Sequence, residues 1–143
     1  MIGNQLEIKV KDSVFDPDLP RSPSSKIYFH IGRNDGKTYY KVWLYLEGND
    51  LPFIESVTYT LHESFREPNQ TVRRSSSNSN CKFVIWTWGL FTVRATIVDK
   101  KGLTYKVTHQ LRYDRELYPK GDPRYIHEEW DASPSDRPTL VSS

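Results

Sequence analysis

"FTVRATIVDKKGLTYKVTHQLRYD", Phe91 to Asp114, contains two alternating runs that flank Lys100-Lys101-Gly102. In the second run Leu103, Tyr105, Val107, His109, Leu111 and Tyr113 fall on one face. A period of two is the signature of a strand, not a helix. The segment therefore predicts a hairpin with arms Phe91–Asp99 and Leu103–Asp114.

The same pattern extends in both directions. "LEIKVK" (Leu6 to Lys11) places Leu6, Ile8 and Val10 on one face. "KIYFHIGRNDGKTYYKVWLYLEG" predicts a second hairpin, over Lys26–Arg33 and Tyr39–Glu47. Its turn contains Asp35-Gly36, a pair suited to the positive φ of a tight turn. The second arm carries Tyr39, Trp43 and Tyr45 on one face and Val42, Leu44 and Leu46 on the other, the pattern of a strand covered on both sides. Ile54–His62 and Cys81–Trp86 complete a set of seven strands. "DPDLPRSPSS" (Asp16 to Ser25) reads as a loop, as does the polar stretch Arg66 to Asn80, in which Val72 is the sole apolar residue.

No segment keeps a helical period beyond one or two turns, which excludes a doubly wound sheet with crossover helices. Short strands at this spacing predict an all-β, immunoglobulin-like antiparallel β-sandwich. Nineteen Phe, Trp and Tyr residues in a chain of 143 suit that class. The sandwich is expected over 1–114, and 115–143 is expected to be a C-terminal extension that is at least partly flexible. Within it, Tyr125 to Trp130 reads as a short helix or as aromatics docked on the domain, and the last dozen residues as disordered.

Composition narrows the function. A formal charge of +2 is no polyanion-binding signature, so nucleic acid is not an expected partner. No apolar run reaches membrane-spanning length, so a membrane is not expected either. There is no secretory leader pattern, and the single cysteine, Cys81, cannot form an internal disulfide; both fit a reducing cytoplasm. The four histidines, His30, His62, His109 and His127, show no metal-ligand spacing. No phosphate loop or nucleophile elbow is present, and Ser64 near His62 does not by itself make a catalytic pair. No catalytic residue, metal or cofactor is expected.

"YTLHESFREP" breaks its strand pattern by placing Phe65 among polar groups. "WTWGLF" then sets Trp88 at another strand end. Two readings of Phe65 stand side by side. It either plugs the sandwich edge, or it lines a slot with Trp88.

"VTYTLHESFREP" followed by "WTWGLF" resembles the YEATS domain family, and the match covers about Tyr40 to Asp114. The departures from the eukaryotic pattern are similar to those of the prokaryotic YEATS group associated with bacterial immunity and conflict systems. The resemblance implies an immunoglobulin-like reader of acetyl-, crotonyl- or related acyl-lysine. It implies ligand-binding residues His62, Ser64, Phe65, Thr87, Trp88 and Gly89. Phe65 and Trp88 would be the walls, and Ser64, oriented by His62, would bond the acyl amide. The Trp88 backbone N–H would donate to the acyl carbonyl, and Gly89 would leave room for the acyl tip. Thr87 stands where the family has a glycine. The implied partner is an acylated protein or peptide, with a fused or associated effector domain as companion. The rival reading is a structural adaptor whose degenerate slot binds nothing.

Overall fold

The computed structural model describes residues 6–129. Among the described residues, nine strands form two sheets. The first sheet contains β1 (Lys9–Ser13), β2 (Ile27–Ile31), β3 (Thr38–Glu47), β6 (Phe83–Thr87) and β9 (Tyr125–His127). The second has the order β5 (Asn69–Arg73), β4 (Ile54–Thr60), β7 (Thr92–Asp99), β8 (Thr104–Gln110). The architecture is the all-β, immunoglobulin-like sandwich that the alternation predicts.

The ten-residue β3 organises the first sheet. On one edge it pairs with β1 through its C-terminal half and with β2 through its N-terminal half. β6 takes the other edge, with Tyr40 opposite Thr87 and Leu44 opposite Phe83. Val42, Leu44 and Leu46 point inward with Ile85, and meet Val57, Tyr59, Val93, Ala95 and Ile97 of the second sheet. Each fully covered aliphatic side chain contributes about 1.5–3 kcal/mol. On the outer face Tyr39 and Trp43 are also buried, at 4% and 7% exposure, so β3 is covered on both sides as its sequence predicts. Tyr59 is fully buried and satisfies its hydroxyl by donating to the Cys81 carbonyl at 2.7 Å.

Turn chemistry fixes the hairpins. Gly36 and Gly102 both adopt positive φ, in the turns between β2 and β3 and between β7 and β8. Gly48 ends β3 at φ +150°, where a Cβ would stand 2.0 Å from the Glu7 carbonyl oxygen. Only glycine lets the two backbones approach that closely.

The structure departs from expectation at three places. Residues 69–73 form an edge strand, β5, inside the stretch read as loop. Their side chains alternate exposed and half-buried, but Val72 is the one apolar anchor, so the period carries little hydrophobic signal. Thr71 bonds Thr58 at 2.8 Å and Asn69 accepts from Thr60 at 2.8 Å, so polar cross-strand pairs replace apolar ones.

The second departure is at Tyr125–His127, which is a strand and not a helix. It pairs with β2 in parallel, Ile27 opposite Tyr125 and Phe29 opposite His127. The first sheet therefore passes the expected boundary at 114. Docking of aromatics accounts for it: Tyr125 packs edge-on to Phe29 and Tyr118, and its hydroxyl donates to the Tyr118 carbonyl at 2.6 Å. Arg124 fixes the approach, with its guanidinium 3.5 Å from the Tyr118 ring centroid and two bonds to the Asp122 carboxylate. Trp130 and the polar tail lie outside the described residues.

The third departure is one of position. β1 begins at Lys9 and runs to Ser13, later than the alternation of Leu6–Lys11 suggests. Asp12 holds its C-terminal end: its carboxylate accepts from His109 Nε2 at 2.6 Å and from the Arg112 N–H at 2.9 Å, tying β1 to β8 and to the segment that follows it.

Candidate functional site

Two loops meet at one end of the sandwich. The first, 61–68, leaves β4; the second, 88–91, joins β6 to β7. The Phe91 ring joins them, with its centroid 5.4 Å from Phe65 and 6.1 Å from His62. Trp88 lies three residues before Phe91, a span of at most about 10 Å. His62, Ser64, Phe65, Thr87, Trp88 and Gly89 therefore share this end.

His62 and Ser64 form a compact turn. The Ser64 backbone N–H donates to His62 Nδ1 at 3.1 Å, and the Phe65 N–H donates to the His62 carbonyl at 3.0 Å. A ring nitrogen that accepts an N–H carries no proton, so Nδ1 is the lone-pair nitrogen. Ser64 Oγ lies 2.6 Å from the same Nδ1. The hydroxyl must then donate its hydrogen there. This leaves the Oγ lone pairs as acceptors for an N–H from outside.

Phe65 is not a wall. It is 2% exposed and belongs to the core cluster. Of the two readings the sequence left open, the structure has the plug. The physical reason is strand parity. Ile85 and Thr87 are fully buried on the inner side of β6. Trp88, one residue on, turns to the side of Trp86, the outer side, while Phe65 drops between the sheets. Trp88 is 44% exposed, and Lys37 places its ammonium 3.7 Å from the ring centroid.

Lys37 contributes to the site and the sequence reading missed it. Its position is set by the turn between β2 and β3. Asp35 accepts the Lys37 N–H at 2.9 Å and the Tyr39 hydroxyl at 2.6 Å. The Tyr39 bond, first among the causes, lowers the Asp35 carboxyl below its ordinary range. Burial, and then the Asp35 carboxylate, raise the Tyr39 phenol well above its own. The Asp-Gly signal located this turn, but nothing in one dimension places its lysine against a residue of another loop.

Thr87 is fully buried and donates its hydroxyl to the Gly89 carbonyl at 2.8 Å, while the Gly89 N–H returns to Thr87 Oγ1 at 3.3 Å. These bonds pin the tight loop that presents Trp88. A Cβ on Gly89 would meet nothing within 4 Å, so the space beside it is open. Leu90, 47% exposed, adds a second apolar side chain to the same loop. Arg73 and Arg74 do not rim this end. Arg73 pairs opposite Ser56 at the far end of β4 and forms an ion pair with Glu55; Arg74 Nε donates to the Ser79 carbonyl.

No helix among the described residues is long and apolar enough to cross a membrane. No curated protein matches the chain. Among solved structures, the Yaf9 YEATS domain recognizing an H3K122suc peptide is similar at 14% identity and a TM-score of 0.48, covering 76% of this chain and 71% of that one. The Yaf9 YEATS domain bound to H3K27ac is similar at 14% identity and a TM-score of 0.44, covering 78% and 75%. The family model of the prokaryotic YEATS domain matches residues 40–112, from β3 through the end of the β7–β8 hairpin. The chain belongs to the prokaryotic YEATS domain family.

Proposed function

We propose that the domain is a non-enzymatic binding module that recognises an acylated lysine, or a related small planar acyl group, at the end formed by the loops 61–68 and 88–91. One observation carries this reading. The Ser64 hydroxyl hydrogen is committed to His62, so an acceptor of fixed direction stands at the end that also exposes Trp88. An acyl-lysine amide offers the complementary N–H and a flat group to lie on the indole. The Trp88 backbone N–H would donate to the acyl carbonyl, and the open space beside Gly89 would take the acyl tip. Phe65 supports the floor through Phe91 and has no role as a wall. A charged ammonium is disfavoured here because it would have to shed strong hydration.

The ligand of this proposal is carried by a protein or peptide. A fused or associated effector, in the cytoplasmic setting of a prokaryotic immunity system, completes it. The test is titration calorimetry of acetyl-, crotonyl- and unmodified lysine peptides into the protein. Acyl peptides should bind at about 10–100 μM, as suits a fragment-sized contact, and unmodified lysine should not. Equal heats for modified and unmodified peptides would overturn it.

A second reading has its own support. Phe65 is packed away and Lys37 covers a face of Trp88. A slot filled by its own side chains is what an adaptor domain would have. In that case none of the peptides binds, and the exposed Trp88 and Leu90 serve a protein contact.

A further inference from the structure

The parallel pairing of β9 with β2 brings together side chains that are remote in sequence. His30, His127 and Glu129 each offer one donor atom, and the three atoms lie within 4.8 Å of one another. We propose that they form a site for a divalent transition-metal ion of the zinc class, which fastens the end of β9 to the sheet.

The donor set is the first argument. Two imidazoles and a carboxylate are borderline nitrogen and hard oxygen ligands, a combination that suits zinc and its neighbours rather than calcium or magnesium. Three protein ligands leave a tetrahedral ion one further position, for water or for a group from a partner.

Distance is the second. Ligand atoms about 2.0–2.1 Å from a tetrahedral ion stand about 3.4 Å apart. His127 Nδ1 and Glu129 Oε1 are already 3.2 Å apart. The remaining closure falls to side chains free to move, since the His127 and Glu129 side chains are 39% and 68% exposed.

The third argument is the preset orientation of His30. It is 4% exposed, and its Nδ1 lies 2.9 Å from the Glu128 carbonyl oxygen. A carbonyl only accepts, so Nδ1 carries the proton, and Nε2 is the nitrogen that would ligate the ion. A backbone carbonyl holding the second nitrogen is the usual support of a metal-bound histidine. The His30 and His127 ring centroids stand 5.9 Å apart. An ion there would join β2 to the end of β9 and to Glu129, two residues past it; β9 is a strand of three residues held by three register pairs.

The test is zinc titration of the chelator-treated full chain by calorimetry, with cobalt substitution as a second readout. Wild type should bind one equivalent and melt at a higher temperature with zinc than without. His127→Ala and Glu129→Gln change exposed side chains and should fold normally. Each should lose about tenfold or more in zinc affinity, together with the zinc-dependent rise in melting temperature. His62→Ala should bind zinc as wild type does. Cobalt should give the visible bands of a four-coordinate ion, absent in His127→Ala. No saturable heat, or binding that survives His127→Ala and Glu129→Gln, overturns the site.

Discussion

The Lys37 ammonium stands 3.7 Å from the centroid of the Trp88 ring, so the indole is met by a charge from its own chain. A flat acyl group stacking on that face must displace it. Such a contact at an exposed site is worth about 0.5–1 kcal/mol. Lys37→Ala should therefore tighten acyl-peptide binding about two- to fivefold, read by calorimetry. Unchanged affinity would mean that the ligand uses another surface.

The two aromatics of the motif should respond in opposite ways to truncation. Trp88→Ala should abolish peptide binding and cost about 1 kcal/mol of stability or less, because little buried area is lost. Phe65→Ala opens a core cavity and should cost about 3–5 kcal/mol. Urea denaturation of both variants gives the comparison. A larger loss at Trp88 than at Phe65 would contradict the assignment of plug and surface.

Removing the Ser64 hydroxyl separates ligand contact from fold. Ser64→Ala should weaken acyl-peptide binding by about 0.5–1.5 kcal/mol, the net worth of a neutral hydrogen bond. The backbone bonds of the turn remain, so the denaturation midpoint should hold. The Tyr59 hydroxyl offers the contrast: Tyr59→Phe strands the buried Cys81 carbonyl and should cost about 1–3 kcal/mol of stability with no effect on peptide affinity.

The Cys81 thiol is fully buried, and burial pushes its pKa up to about 11. Only thiolate reacts with disulfide reagents, so the native protein should be nearly inert at neutral pH. Labelling should accelerate in step with unfolding across a urea series. Rapid labelling without denaturant would show that this part of the core opens.

Asp122 makes its two side-chain bonds to Arg124, which, with the Arg124 N–H, bring its carboxyl down to about 2. A lowered carboxylate stabilises the fold above its unfolded pKa of about 3.9 and loses that contribution as pH falls through its folded value. The corner that leads into β9 should therefore loosen between about pH 4 and pH 2. Amide exchange at Tyr125 to His127, followed through that range, reads it directly, and Arg124→Gln should move the onset to higher pH.

The sandwich was legible because seven strands alternate with apolar residues on at least one face. β5 was not, since an edge strand with Val72 as its one apolar anchor relies on Thr71 and Asn69 for its pairing, and polar alternation resembles a loop. β9 was not, because a parallel pair with β2 has no turn to announce it. The loops of the site were found through Phe65 and Trp88 standing at strand ends. Their separation to two sides of β6 was hidden, since it depends on the parity of Thr87 and on how deep Phe65 sits. Lys37 and the meeting of His30 with His127 arise from tertiary pairing alone.

The Tyr125–His127 strand also bears on where this domain can be cut. Recognition of the family rests on residues 40–112, yet that interval lacks three of the five strands of the first sheet. A fragment trimmed to the recognisable part would retain the loops of the candidate site and leave bare the edge of β3 that β1 and β2 cover. Even a cut at Asp114 would uncover β2, an edge that Tyr125–His127 now shields. Open edges of this kind recruit strands from other chains. Such fragments should therefore come off a sizing column as aggregates, and a poor yield from them would reflect a missing neighbour, not an unfoldable sequence.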